Sequence, residues 1–485
     1  MSTLFQLSRK ARLLTGILHH LEWDQETYMP LGAVAIRGDQ NALIALLIHE
    51  IKTSDGYQKA LKEAAEGPLN EEDKAALREW NRDFRIDTAL PAAFVEKFAQ
   101  TTSQAMSIWK RAREHHDFPA FVPILEEIIQ LNRQKADYIG YKEHPYDALL
   151  DLYEPGMTSL KGDALFKEIK AFIIPRLKNL PEADNSCLQG AFDFDKQLGF
   201  GRKLLHDMGY NFEHGRLDLS THPFSSSPHP TDSRVTTRLT IPNIMSNIAV
   251  CLHEGGHSLY EMGLPIERYG SPLGDAVSLG IHESQSRLWE TRIGLTRPFW
   301  EYYYPELQKA FPEFQKTPFD TFFKAIHQIK PTFIRVEADE VTYPLHVILR
   351  FELEKALIEG SLKVADLPHA WNEKMQTYLG ITPRNSKEGC LQDIHWAMGA
   401  FGYFPTYALG NIYAAHLFEG IQTTHPDWET RLKKGDLHFI RDWLSEKIYR
   451  FGRRYPPLEL LEKATGKPLS VQPYLVHLET QLNRI

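Results

Sequence analysis

Cysteine is scarce: Cys187, Cys251 and Cys390 are the only three in 485 residues. They are too few and too scattered for a disulfide framework or a CxxC metal site, and they point to a reducing compartment. A dominant charge sign is also missing. Fifty-five basic against 63 acidic residues leave a net charge of −8, and no Lys- or Arg-rich stripe stands out. That excludes the electrostatic footprint of a nucleic-acid or anionic-lipid binder. Long apolar runs are lacking as well. Residues 13–18 are interrupted by Thr15 and Gly16 and precede no small-residue cleavage site, so no signal peptide is expected. No window of about 18 apolar residues suggests a membrane span. The expected location is the cytoplasm.

What the chain has in quantity is helical periodicity. Apolar residues recur three and four apart over residues 4–51 and 75–136. Residues 320–359 read as long and helical, with Pro331 and Pro344 as kinks or boundaries. A further helix is expected over 411–420, and strand-like alternation is confined to 234–239. The expected fold is therefore all-α with a small sheet or hairpin. Length alone, at roughly 150 residues per domain, suggests about three domains. Residues 220–233, rich in Ser, Pro, Thr and His, read either as a linker or as a functional loop.

The chemistry concentrates at His253, Glu254, Gly255, Gly256 and His257. Two histidines four apart on a helix share a face and can hold one Zn²⁺ through their imidazoles. Glu254 beside them can take a proton from a metal-activated water and deliver it to a leaving amine. Pro242 suits the start of that helix, Ile244, Ile248 and Leu252 give it an apolar stripe, and Gly263 and Pro265 a stop. The two central glycines each cost roughly 1 kcal/mol relative to Ala, so something must approach the backbone there closely. A zinc hydrolase needs a third protein ligand. Glu283 is the first candidate, on a second helix crossing the first, and His282 the competitor.

These residues sit among blocks that closely resemble the thermostable-carboxypeptidase family of zinc metallocarboxypeptidases, peptidase family M32. His222-Pro223-Phe224 matches its HPF block, Asp232 to Thr236 its DxRxT, and His282 to Gln285 its HES/GQ. Ile334 to Asp339 matches I/VRxxAD and Gly389 to Trp396 matches GxxQDxHW; Trp23 to Pro30 is similar to a further family block. The resemblance spans Trp23 to roughly Leu417. It implies one all-α catalytic domain over 1–485 with a deep groove, related to the angiotensin-converting-enzyme and neurolysin group. It further implies a homodimer, zinc with cobalt able to substitute, and release of C-terminal residues from peptides with broad specificity. Helices within about 1–70 would then form a cover over the groove, and 220–233 a loop at its wall.

Such an enzyme must recognise a free carboxylate, which a guanidinium does with two parallel charge-assisted hydrogen bonds. The resemblance points first to Arg335, against the alternative of an ion pair with Glu337 or Asp339. Arg234 is second, either binding peptide or bracing the groove. An oxyanion also needs a donor besides the metal. By analogy with related zinc peptidases, His395 and Tyr407 flanking a glycine-rich turn are that pair, with Tyr403 in reserve and a packed aromatic turn as the plain alternative. Gln392 and Asp393 are expected to support other groups by hydrogen bonding, and Cys251 to be a buried small residue. The rivals are an oligopeptidase or dipeptidyl carboxypeptidase on the same scaffold, and a helical peptide binder with a vestigial site.

Overall fold

The N-terminal periodicity divides at Pro30 into α1 (Ser2–Thr27) and α2 (Val34–Thr53), joined by a single 3-10 turn. Next come α3 (Asp55–Glu66) and α4 (Glu71–Ala89). Ser54 caps the first by accepting from the Tyr57 N–H, and Asn70 caps the second by accepting from the Asp73 N–H. The 75–136 pattern continues through helices Ala92–Glu114 and Phe118–Ile139, broken at Pro91 and Asp117. These coordinates are a computed structural model that describes residues 1–181, 184–239 and 243–484. Pro242, the expected helix start, lies outside the described residues.

Among the described residues, apolar side chains gather in two clusters. A small one joins Leu4, Tyr57, Leu61, Leu77 and Trp80, and Leu273 closes it from below. A much larger one holds the helices that carry His253, Glu283 and Tyr407, including Ile248, Leu252, Ile281, Leu409 and Ile412. Helix α2 belongs to neither. Leu31, Val34, Ile36, Leu43 and Leu46 are each more than half exposed on it or on its preceding turn. The segment Leu31–Thr53 is also long and apolar enough, by length and composition, to cross a membrane. This corrects the expectation that no such window exists. Arg37, Asp39, Gln40 and Asn41 interrupt the apolar run, which hides the segment from a search for unbroken runs.

Residues 320–359 are not one helix. They form helix Phe319–Ala325, an irregular stretch with a 3-10 turn at Arg335–Glu337, and helix Tyr343–Glu359. Pro331 falls in the irregular part, and Pro344 in the opening turn of the second helix, where its missing N–H has no partner to lose. The helix expected over 411–420 is longer, Pro405–Thr424.

The sheet has three strands in the order β1-β3-β2. β1 (Leu217–Leu219) pairs parallel with β3 (Asp232–Thr237), placing Leu217 opposite Val235. β2 (Ser225–His229) pairs antiparallel with β3, with Ser226 opposite Arg234. The expected strand therefore begins two residues earlier than its alternation suggested. The 220–233 stretch is not loop throughout, because it supplies β2. Pro228 is tolerated there since β2 is an edge strand.

Candidate metal centre and active site

The helix Ile244–Met262 carries both histidines and Glu254. It is capped by Asn243, buries Ile244, Ile248 and Leu252, and ends at Gly263. Its paired glycines are explained by their neighbours. A Cβ on Gly255 would lie 2.6 Å from Cδ2 of Leu205. One on Gly256 would lie 2.6 Å from the Gln285 carbonyl oxygen and 2.8 Å from Cα of Ser286. Gln285 and Ser286 belong to the Glu283 helix, Leu279–Arg287. On its other side, a Cβ on Gly410 of helix Pro405–Thr424 would overlap Cγ of Glu283. Glycines on two flanking helices thus let the Glu283 helix be gripped from both sides.

Three donor atoms converge, all within 4.8 Å of one another: one each from His253, His257 and Glu283. Glu283 Oε2 lies 3.8 Å from His253 Nε2 and 3.5 Å from His257 Nε2. The far side of each imidazole is also held. His253 Nδ1 meets Glu290 Oε2 at 2.8 Å, and the same oxygen accepts from Arg287 Nη1 at 2.7 Å. His257 Nδ1 meets His282 Nδ1 at 2.6 Å, and His282 Nε2 meets Glu261 Oε1 at 2.9 Å. His282, the competing ligand, therefore stands behind His257 and outside the donor set.

Charge favours a cation at this point. Burial works against the charge of His253, yet the Glu283 and Glu290 carboxylates raise its pKa. Burial and the neighbouring imidazoles push His257 down to about 4. Burial opposes the Glu283 charge, but His253 and His257 hold its carboxyl well below the usual range. Glu254 is buried and raised, first by desolvation and then by the Glu283 charge. Two imidazole nitrogens and one carboxylate oxygen at this spacing fit a borderline divalent ion such as Zn²⁺, and each imidazole has the outer partner such a site requires.

Beyond the donor set, His395 Nε2 lies 3.4 Å from the Tyr407 hydroxyl, and the rings of Tyr403 and Tyr407 are 5.4 Å apart. Burial raises both phenols and the Glu283 carboxylate adds to it, which keeps them protonated as donors. Burial pushes His395 down to about 4, and its Nδ1 has no partner among the described residues. Arg335 is buried. Its Nε and Nη2 donate to Asp393 Oδ1 at 3.2 and 2.9 Å, and its Nη1 to the Tyr343 hydroxyl at 3.1 Å. Its guanidinium carbon stands 4.8 Å from the Tyr407 ring centroid. The ion-pair partner is thus Asp393, and neither Glu337 nor Asp339. Gln392 accepts the Arg335 backbone N–H, so both residues expected to support other groups do so.

Arg234 donates twice to Asp232, at 2.7 and 2.9 Å, and stacks 4.7 Å from the Trp23 ring. Arg216 lies 5.2 Å from the same ring, and the Tyr28 hydroxyl donates to Asp218. The Trp23 to Pro30 block thereby pins α1 to the sheet. His222 is exposed, and Cys251 is fully buried.

Several residues around the site escaped the sequence. Glu290 had a faint signal, since it lies seven residues after Glu283 and so on nearly the same helical face. A π-helical stretch, Leu288–Ile293, carries it; such wide turns recur at functional sites. Glu354 had none. Fully buried, it accepts from the Tyr146 hydroxyl, Trp396 Nε1 and the Gly402 N–H, bracing the turn between His395 and Tyr403.

Comparison with known proteins shows the family. A family model described as Carboxypeptidase Taq (M32) metallopeptidase matches residues 3–482. Carboxypeptidase 1 of Bacillus subtilis is 40% identical over 98% of this chain and 97% of its own. Thermostable carboxypeptidase 1 of Thermus thermophilus is 38% identical over the same shares. A crystal structure of an M32 carboxypeptidase from Deinococcus radiodurans superposes with a TM-score of 0.96 at 36% identity, covering 99% of this chain and 98% of that one. With the family model spanning residues 3–482 and relatives about 40% identical along 98% of it, the chain belongs to the M32 family of metallocarboxypeptidases.

Proposed function

We propose that this protein is a zinc-dependent carboxypeptidase that releases single amino acids from the C-terminus of peptides, with broad side-chain specificity. The carrying observation is the convergence of His253, His257 and Glu283 with Glu254 on the adjacent helical position. His253, His257 and Glu283 would hold the ion, with cobalt able to replace zinc. When bound, the metal polarises the scissile carbonyl and acidifies a water. Glu254 takes the proton of the attacking water and passes it to the departing amine. Tyr407, with Tyr403 or His395 beside it, donates to the developing oxyanion. Arg335 receives the terminal carboxylate with the guanidinium hydrogens that Asp393 and Tyr343 leave free. Arg234, already committed to Asp232 and Trp23, braces the groove wall.

The chain works as one catalytic domain, with α1 to α3 as a cover, and acts on peptides in the cytoplasm. Two copies pair through the exposed apolar face of α2. The relatives bear the name carboxypeptidase, which favours stepwise trimming over an oligopeptidase. Digestion of a defined peptide with and without chelator, followed by mass spectrometry, tests the reading. A one-residue ladder lost on chelation is expected; internal fragments or dipeptides would overturn it. Arg335→Ala should impair C-terminal release far more than cleavage of C-terminally amidated peptide.

A further inference from the structure

The two histidines of the metal centre are backed differently. Behind His253 stands a carboxylate, Glu290, at 2.8 Å; behind His257 stands a second imidazole, His282, at 2.6 Å. An imidazole behind an imidazole is an ambiguous partner, because each ring can donate or accept. The direction here is fixed by the ends of the chain. His257 turns Nε2 toward Glu283, so a metal takes that nitrogen's lone pair and the ring's proton must be on Nδ1. That proton points at His282 Nδ1, which must then be a bare acceptor. The proton of His282 is left on Nε2, 2.9 Å from Glu261 Oε1, and a carboxylate oxygen accepts it. Were the His282 proton on Nδ1, two N–H groups would face each other at 2.6 Å.

We infer that Glu261 is a positioning residue for the metal centre, acting through His282 to fix the tautomer and ring orientation of His257. The inference rests on the metal-binding reading above. Glu261 lies on the same helix as His257, one turn further on, and its carboxylate reaches that imidazole through a side chain of the Glu283 helix. His282 therefore ties the two ligand-bearing helices together at the level of the site. The far end of the relay is half-buried. Glu261 lines a cavity of about 320 Å³ with Arg12 and His19 of α1 and with Asp275, so the N-terminal layer covers the carboxylate on which His257 depends.

Cobalt binding to the full-length chain, measured by competition with a chelator of known affinity, tests the relay. Glu261→Ala should weaken binding by about 10- to 100-fold, the range that outer partners of metal ligands carry. Glu261→Gln, whose side-chain carbonyl can still accept from Nε2–H, should recover most of that loss, which a packing role would not predict. Nitrogen-15 NMR of the histidines in unaltered protein gives a second readout independent of any variant's folding. His282 should show a bare Nδ1 and a protonated Nε2. Equal cobalt affinity in Glu261→Ala, or the opposite His282 tautomer, overturns the relay alone. An unaltered chain that binds no cobalt removes the metal-binding reading and the relay with it.

Discussion

The N-terminal layer and the catalytic helices are built by opposite rules. In the layer, α1, α3 and α4 enclose a small cluster around Leu4, Tyr57 and Trp80, and α2 leaves Val34, Ile36, Leu43 and Leu46 facing outward. In the catalytic part, helices Ile244–Met262, Leu279–Arg287 and Pro405–Thr424 approach so closely that glycine is needed at the contacts, and even the charged residues are buried and paired. Glycine shows the contrast most clearly. Among the described residues, Gly38 on α2 has nothing within 4 Å of where its Cβ would stand, whereas Gly256 has three backbone atoms inside 3 Å. Stability and chemistry therefore lie in one region, and tolerance of change in the other.

The largest effect should come from the reacting centre. Glu254→Gln is expected to lower kcat by about 10²- to 10⁴-fold, the usual contribution of a general base, with metal content unchanged. Metal analysis beside single-turnover assays checks this, and near-normal turnover would remove Glu254 from its role. Next, the glycine contrast can be tested directly by denaturant unfolding. Gly256→Ala should lose about 3 kcal/mol or more, because backbone cannot yield as a side chain can. Gly38→Ala should gain roughly 0.5 to 1 kcal/mol from helix propensity. Similar losses at both positions would erase the distinction between the regions.

A smaller effect concerns pH. Glu154 is fully buried and accepts from the Gly280 N–H and the Tyr413 hydroxyl, steadying the start of the Glu283 helix. Burial pushes its carboxyl from 4.5 up to about 7. Between those values the folded chain keeps a proton that the unfolded chain has lost, so stability falls as pH rises through the window. The loss is at most about 3 kcal/mol at 1.36 kcal/mol per unit. Glu154→Gln should lack that slope when unfolding is compared at pH 5 and pH 7.5; an unchanged slope would clear Glu154 of it. The smallest energetic effect belongs to the layer. Leu43→Lys with Leu46→Lys should shift stability by no more than about 0.5 kcal/mol per site, as exposed positions do. It should leave peptide release intact while halving the solution mass seen by light scattering. A mass that stays that of one chain in both proteins would refute pairing through α2.

Much of the donor set was legible because its spacing is local. His253 and His257 are one helical turn apart, and their two glycines announced a close neighbour before its identity was known. What supports them was not legible, since His282, Glu290 and Glu354 reach their partners through tertiary contact. A residue's role behind another depends on helix rotation and crossing, which no short spacing encodes. The break within 320–359 was obscured for a related reason. The prolines were visible, but only the fold decides that the residues between them unwind to bring Arg335 against Asp393. β2 was missed because its residues are poor strand formers that an edge position accepts.

The glycine grip on the Glu283 helix also bears on which ions the centre will take. With Gly256 on one face and Gly410 on the other, Glu283 cannot swing outward without forcing two helices apart. The donors are therefore spaced by the fold and not by the ion, and a newcomer must accept that spacing as it is. Ions content with two nitrogens and one oxygen at short range can exchange there with little rearrangement. A large, oxygen-seeking ion such as Ca²⁺ would find too few oxygens and no freedom to recruit more. Discrimination between metals would thus be a property of helix packing, written in residues outside the donor set.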